Sequence, residues 1–408
     1  MEKAGLTPSE AFVASLCKSS FLSLWCIPNP PSKPGKELCD LLVVCDPDVI
    51  IFSVKEIGLK REEGGEVTEA GATRWVRKAI DESIKQLRGA ERFLVDKAEV
   101  KRADGTDGPL LPPTDRRRVH RIAVAFGSER EIPYASQDDG GGGFVHVFDE
   151  VGFGRVMKEL DTITDFVAYL GAKEMLLDRG PVVVFGEENL LGWYLHGGRV
   201  FPSDFDMVIV NDDWWDGLAS DPGYQRGKDA DKESYYWDDV IEHLLRDERT
   251  GDIKISGAVI TGELATRTMA RESRFARRNL ARGLREFIDD NRAGRTAARA
   301  MQGGSNVGYV FLASNAPPRD RIPELTARCF ITRGRMKECQ TIIGLNATVA
   351  DAGVAFEVVY MHHPTWTDAD DAEAKKLAFE TGLFATPVET HRRSDEYPPA
   401  RPSGAGKR

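Results

Sequence analysis

The sequence of 408 residues lacks several features that would point directly to a function. Its six cysteines include no C-x-x-C pair and mostly lie within apolar runs. This pattern argues against a zinc site or a disulfide framework and predicts reduced core thiols of a cytoplasmic protein. No apolar run approaches about 18 residues, and no charged leader followed by an apolar core begins the chain, so we expect a soluble protein without membrane contact.

An excess of basic residues is also absent. Lysine and arginine number 55 against 65 aspartates and glutamates, which gives a net charge of −10. This balance argues against broad, nonspecific coating of nucleic acid, although a local basic patch would still bind it. The four glycines Gly140 to Gly143 are not followed by Gly-Lys-Ser/Thr, which excludes a phosphate-binding loop of that type.

The most informative stretch that is present runs from Gly35 to Lys60. It predicts two short apolar strands joined by a tight turn at Cys45-Asp46-Pro47-Asp48, because proline and aspartate are favoured at turn positions. If the turn is centred on its middle peptide bond, Asp40 lies opposite Ser53, and Lys55 follows two residues later on the same face.

This hairpin is apolar on both faces, so we expect it inside a domain and covered on each side. Its polar side chains, apart from those of the turn, gather at one end. A buried carboxylate beside a lysine is costly unless it binds a metal or forms a pair. The pattern therefore predicts a functional or paired site at that end, built around Asp40 and Lys55.

These residues resemble the core of the PD-(D/E)XK, or restriction-endonuclease-like, nuclease superfamily. In that superfamily an aspartate starts one strand and an acid-x-lysine triplet ends the next. Asp40 and Lys55 match the aspartate and the lysine, whereas Ser53 occupies the acidic position of the triplet. Glu10 and Gln86 match the glutamate of a preceding helix and the glutamine helix of the exonuclease-like branch. The resemblance covers roughly the first 100 residues.

The resemblance implies an αβββαβ core and hydrolysis of phosphodiester bonds with Mg²⁺ or Mn²⁺. It implies Asp40 as a metal ligand and Lys55 as the group that orients the attacking water and stabilises the phosphate. The second ligand stays open between Glu10, Glu56, Glu37 and a backbone carbonyl near Val54. Strict alternation places Glu56 and Glu37 on the face opposite Asp40 unless a bulge intervenes. Ser53 would hydrogen-bond a metal-bound water.

Two of these residues also have ordinary structural explanations. Thr7 and Glu10 have the spacing of a helix capping box, which accounts for Glu10 without any metal. Gln86 lies on a predicted amphipathic helix from about Ala72 to Asp96, where it is equally well explained as a solvated amide.

For the whole chain, the sequence predicts a multidomain protein of the α/β to α+β class. We predict a nuclease-like domain over 1–118, a middle α/β region with an arginine-rich helix over 119–304, a small α+β domain over 305–387 and a disordered tail over 388–408. Among the elements, we predict an irregular loop at Trp25–Gly35, an exposed loop at 97–118, buried strands at 181–185 and 205–210, a strand at 328–333 and a helix at 336–351.

The most basic segment is 264–300. Arg274, Arg278 and Arg282 recur at helical spacing, and such a stripe is suited to contact a phosphate backbone. A structural explanation has the same weight as phosphate binding: the stripe is a solvated helix face, or a face paired to acidic residues of the same chain.

Three functions follow from these patterns. The first is a metal-dependent nuclease, with DNA as the expected substrate and defence against foreign DNA as a role that the resemblance suggests. The second is a catalytically weak nuclease-like module that binds nucleic acid or a partner protein. The third is a structural protein whose acidic surface contacts another chain or a second copy of itself.

Overall fold

The computed structural model describes residues 6–33, 35–132, 136–138, 143–247, 253–255, 258–260, 262–291, 296–350, 353–384 and 395–397. The protein has a mixed α/β architecture with two compact units, Met1–Ser220 and Asp221–Arg408. Almost all of the tail predicted to be disordered, 388–408, lies outside the described residues.

The first unit contains both helices and strands. Its helices are α1 (Pro8–Phe21), α2 (Glu69–Val76), α3 (Glu82–Leu94), α4 (Glu150–Glu159), α5 (Ile163–Arg179), α6 (Glu187–His196) and α7 (Trp214–Ser220), and the π-helical turn Arg77–Asp81 joins α2 to α3. Its strands are β1 (Cys26–Pro28), β2 (Pro31–Lys33), β3 (Lys36–Glu37), β4 (Leu41–Cys45), β5 (Asp48–Glu56), β6 (Glu99–Lys101), β7 (Asp107–Leu110), β8 (Arg118–Phe126), β9 (Gln137–Asp138), β10 (Phe144–Phe148), β11 (Val182–Val184) and β12 (Val208–Val210).

Six of these strands form one mixed sheet in the order β1-β4-β5-β8-β10-β9. The β1-β4 and β4-β5 pairs are antiparallel, whereas β8 runs parallel to β5 and β10 runs parallel to β8. The hairpin of β4 and β5 therefore lies in the middle of the sheet, as its apolar character on both faces predicts.

Helices cover both faces of this sheet. On one face, Leu42 and Ile51 pack with Trp75, Ile80 and Leu87, which belong to the continuous helical segment α2-α3. That segment confirms the helix predicted there.

The other face of the sheet is covered by α1 and α4. Phe52 makes an edge contact with Phe153 of α4 at 6.0 Å between ring centroids, and the Cys26 thiol donates to the Cys17 carbonyl of α1. Helix α1 begins after Thr7 with the predicted capping box.

The predicted boundary after residue 118 is wrong, because Arg118 is the first residue of β8, a central strand of the sheet. The segment 97–118 was predicted to be an exposed loop but contains the β6-β7 hairpin. Trp25–Gly35 is likewise not wholly irregular, since β1 and β2 both lie within it. Proline is tolerated in β1 because β1 is an edge strand, where a residue without a backbone N–H does not interrupt the hydrogen bonds between neighbouring strands.

The second unit contains α8 (Pro222–Asp231), α9 (Tyr235–Asp247), α10 (Gly262–Ala270), α11 (Arg274–Asp290), α12 (Pro318–Arg335) and α13 (Asp368–Thr381), with a 3-10 turn at Lys232–Ser234. Its strands are β13 (Ile253–Ile255), β14 (Ala258–Ile260), β15 (Ala297–Gln302), β16 (Val307–Ala313), β17 (Thr341–Ala350) and β18 (Gly353–His362). The last four strands form a sheet in chain order, with Leu325 and Cys329 of α12 packed on one face.

Three predictions in the second unit are wrong. The strand predicted at 328–333 belongs to helix α12, whose buried residues Leu325, Cys329 and Thr332 recur at helical spacing. The helix predicted at 336–351 is mostly strand β17, in which Ile342, Ile343 and other β-branched residues favour a buried strand. The boundary predicted after residue 304 falls in the turn between the paired strands β15 and β16.

Candidate functional site

The hairpin places Asp40 and Ser53 opposite each other, as the sequence predicts. Leu41 pairs with Phe52 and Cys45 with Asp48, so the turn has the even register that the prediction requires. Asp40 lies one residue before β4, and its backbone N–H donates to the Phe52 carbonyl at 3.2 Å. Because side chains alternate along a strand, Asp40, Ser53 and Lys55 share the face that α3 covers.

The carboxylate of Asp40 is the centre of a set of polar contacts. One oxygen, Oδ2, accepts from the Val54 backbone N–H at 2.5 Å and lies 3.7 Å from the Lys55 ammonium. The other oxygen, Oδ1, accepts from the Gln86 side-chain amide at 3.1 Å. Asp40 is 7% exposed and Lys55 29% exposed, so the lysine connects a buried carboxylate to solvent.

Gln86 links the two strands of the hairpin through their side chains. Its Oε1 accepts from the Ser53 hydroxyl at 3.0 Å while its Nε2 donates to Asp40. Ser83 lies one helical turn earlier on α3, with its hydroxyl 3.1 Å from that of Ser53. Ser83 was not among the predicted site residues, although its spacing of three residues from Gln86 puts both on one helix face.

The electrostatics of this edge involve two further carboxylates. Burial raises the pKa of Asp40, while Lys55, the Val54 N–H and Gln86 act to lower it and Glu10 raises it further. The pKa of Glu37 is also raised, first by burial and then by the charges of Glu10 and Asp40, against the opposing effect of Lys55. Lys55 is therefore a cation that lowers the pKa of both Asp40 and Glu37, against the effect of burial.

Glu10 and Glu56 occupy different environments. Glu10 approaches the site closely enough to perturb Asp40, but its Oε2 also accepts from the Thr7 N–H at 2.9 Å as part of the capping box. Glu56 is exposed at the end of β5, one residue past Lys55, so its side chain points to the opposite face. The structure thus brings Glu10 near Asp40 and leaves Glu56 away from it.

The donor set at this edge decides whether a divalent metal fits here. Within the described residues, no three acidic, histidine or cysteine side chains lie close enough together to hold a metal ion by themselves. Mg²⁺, however, keeps several of its waters and needs only one or two carboxylates plus substrate phosphates. Asp40 fits as the buried ligand, with Glu10 and Glu37 adding negative charge. An ion held there would polarise a phosphate and lower the pKa of bound water.

The arginines predicted to track phosphates are directed elsewhere. Arg274 and Arg278 are buried, and their guanidinium groups donate to Asp238 at 2.7 Å and to Asp231 at 3.0 Å. Arg282 is only partly exposed and donates to Glu233 at 2.9 Å. The alternative of a face paired to acidic residues of the same chain accounts for all three: Arg274 and Arg278 are buried in their ion pairs, and Arg282 is paired although partly exposed.

Asp40 gives a prediction about stability. Since the folded-state pKa of this carboxyl lies above its ordinary value of 3.8, the group favours folding below that value, and the benefit is lost as pH rises through the folded pKa. Replacing its charge should therefore not weaken the fold at neutral pH. We expect Asp40→Asn to melt at the same or a higher temperature than the wild type at about pH 7–8, with the difference shrinking towards about pH 4.

Thermal melting across that pH range measures the effect. Asp81→Asn, which removes an exposed carboxylate from the same helical segment, is the matched control and should show no such trend. A marked loss of stability in Asp40→Asn at neutral pH would mean that the carboxylate serves the fold and not a site.

Comparisons with known proteins do not assign this chain to a family or a function. Among the described residues, no helix is both long and apolar enough to cross a membrane. No protein-family model matches the chain, and no curated protein or solved structure is significantly similar to it, so any function must be argued from the geometry of this edge.

Proposed function

We propose that the first unit is a nuclease of the restriction-endonuclease-like class, which hydrolyses phosphodiester bonds with Mg²⁺ or Mn²⁺ and takes DNA as its substrate. The observation that carries the proposal is the contact of Gln86 with both Asp40 and Ser53 beside Lys55. These four residues come from β5, from α3 and from the position just before β4, and packing alone does not require polar side chains from all three segments to converge.

The order of the elements also supports the proposal. In chain order, α1, β1, β4, β5, α2-α3 and β8 follow the αβββαβ sequence of the superfamily core. The first three strands form an antiparallel meander, and the strand after the helix adds in parallel to the third. Short hairpins inserted before β4 and before β8 leave this order intact.

The side chains have distinct proposed roles. Lys55 is partly exposed, so its ammonium is available to bind the phosphate under attack and to stabilise the charge that develops on it. Gln86 fixes the orientation of the Asp40 carboxylate, because its amide donates to one carboxylate oxygen. Ser53 in turn holds that amide through its hydroxyl and supplies no charge.

Cleavage assays test the proposal directly. Linear and circular DNA, and RNA of matched length, would be incubated with the whole chain in Mg²⁺, in Mn²⁺ and in a chelator. We expect cutting of DNA that requires the metal and is lost in Asp40→Asn. Failure to cut any of these substrates, with binding of DNA retained, would favour the second candidate described below.

The serine at the triplet position allows a gain-of-function test. Ser53→Asp restores an acid opposite Asp40, and two like charges at opposed strand positions repel unless a cation lies between them. We expect the variant to melt at a lower temperature than the wild type in a chelator and to recover on addition of Mg²⁺. We also expect it to reach half-maximal cleavage at an Mg²⁺ concentration lower by about tenfold.

Ser83→Asp is the control for that experiment, because it adds the same charge on the neighbouring helix α3 and not at the triplet position. An equal Mg²⁺ response in both variants would show that the effect is not specific to the triplet position. The absence of any Mg²⁺ response in Ser53→Asp would argue against a metal site beside Asp40.

A second candidate is a nuclease-like module that binds nucleic acid or a partner protein without cutting. Two observations favour it: the triplet has no acid, and both oxygens of Asp40 already accept hydrogen bonds from the chain. It predicts binding of DNA or of a partner that is independent of divalent metal, and no cleavage under any condition above.

A further inference from the structure

The first unit contains a small two-stranded sheet apart from its central one. Strands β11 and β12 run parallel, with Val183 paired to Ile209. One face of this pair packs onto helices through Val182, Val184, Val208 and Val210, which contact apolar residues that include Leu176 and Leu190 of α5 and α6. The sequence predicted buried strands here, but the structure shows strands buried on one face only.

The other face is apolar and exposed to solvent. Its residues alternate with the packed ones, and Val183, Phe185, Met207 and Ile209 are 46%, 55%, 58% and 54% exposed. Parallel strands normally occur where both faces of the sheet are covered, because their connections place helices on each side. A contiguous apolar face without its cover is typical of an interaction site. We call these four residues the apolar strip.

Carboxylates flank the apolar strip at both ends of β12. Asp204 and Asp206 precede the strand, and Asp212 and Asp213 follow it; all four are exposed. Within the part of the chain that the structure describes, none of the four forms an ion pair. The strip thus has an apolar centre and an acidic rim, which is the usual anatomy of a protein interface.

We propose that the apolar strip binds an amphipathic helix of a different protein, whose apolar face is bordered by lysine or arginine. A helix is the natural cover because it is what packs on the open face of parallel strands. The basic border follows from the acidic rim, since complementary charge is what selects a partner. A second copy of this chain is disfavoured, because a symmetric contact would place the same acidic rim against itself. The proposal does not depend on nuclease activity.

A designed peptide tests the proposal. It would be a helix of about 18 residues with leucines at i, i+3, i+4 and i+7 and lysines bordering that face, labelled for fluorescence anisotropy. A second peptide would carry glutamates in place of the lysines. With the whole chain we expect saturable binding of the basic peptide, weakened by added salt, and binding of the acidic peptide that is weaker by at least about tenfold.

Variants locate the binding surface. The double variant Val183→Thr/Ile209→Thr keeps β-branched residues in both strands but removes apolar surface. It should lower the affinity for the basic peptide by at least about tenfold. The double variant Asp206→Asn/Asp212→Asn should lower the affinity for the basic peptide and make that affinity less dependent on salt. Phe379→Ser, which removes an apolar side chain that is 88% exposed on α13, is the control and should leave the affinity unchanged.

Three outcomes would overturn the proposal. They are equal affinity for both peptides, no binding of the basic peptide at accessible concentrations, and a concentration-dependent dimer of the wild type that the threonine variant abolishes. The last of these would make a second copy the occupant. The threonine variant must keep the wild-type circular dichroism spectrum and melting temperature. If it does not, the proposal is judged from the peptide affinity of the Asp206→Asn/Asp212→Asn variant.

Discussion

Lys55→Ala is expected to remove metal-dependent DNA cleavage, lowering the rate by about 10²–10³-fold or more, the usual cost of deleting a group that stabilises charge in the transition state. The physical reason is its position: the ammonium lies 3.7 Å from the buried Asp40 carboxylate and still reaches solvent. Among the groups that lower the pKa of Asp40, Lys55 has the largest effect. Cleavage of labelled linear DNA under single-turnover conditions measures the loss.

The control for Lys55→Ala is Lys18→Ala, which makes the same change in net charge on the exposed surface of α1. We expect Lys18→Ala to cut DNA at the wild-type rate. Loss of Lys55 also removes an effect that lowers the pKa of Asp40, so the variant should be less stable at neutral pH than at acidic pH. Undiminished cleavage by well-folded Lys55→Ala would place the catalytic site, if there is one, away from this hairpin.

Asp238→Ala is expected to destabilise the second unit by about 3–5 kcal/mol, the range for removing one partner from a buried ion pair. The two oxygens of Asp238 bind Arg274 at 2.7 Å and Arg277 at 2.6 Å, and both arginines are buried. A guanidinium does not lose its proton in a protein, so the variant cannot offset the loss of the Asp238 charge by neutralising the two arginines. Urea unfolding of the whole chain, followed by circular dichroism and by total tryptophan fluorescence, measures the change.

Asp239→Ala is the matched control, since Asp239 is adjacent in sequence but exposed to solvent. We expect its effect to stay within about 0.5 kcal/mol. Similar losses in the two variants would show that Asp238 does not compensate the arginines. The contrast also tests the interpretation of the basic segment, because arginines that hold helices α9 and α11 together are not a surface for phosphates.

Much of the candidate site could be predicted from the sequence. The register of Asp40, Ser53 and Lys55 follows from a short turn and from strict alternation, both of which are local properties of the chain. The capping box at Glu10 is equally local, as four consecutive residues define it. The approach of Gln86 was predicted only through a resemblance, because its distance from the hairpin depends on how α3 packs on the sheet.

Domain boundaries and several elements could not be predicted in this way. Arg118 begins a strand whose partner, β5, lies some 70 residues earlier, and no local pattern records that pairing. Part of helix α12 was predicted to be a strand, and strand β17 was predicted to be a helix. A short apolar run is compatible with either structure, and only its packing partners decide between them.

The sequence by itself therefore determined the hairpin, its polar end and the amphipathic helix that covers it, since spacing and turn chemistry act over a few residues. Tertiary structure alone decided which charges meet. It buried Arg274 and Arg278 against Asp238 and Asp231, joined Gln86 to Asp40 and left the apolar strip uncovered. Burial and ion pairing depend on segments far apart in the chain, and their free energies are settled only when those segments pack.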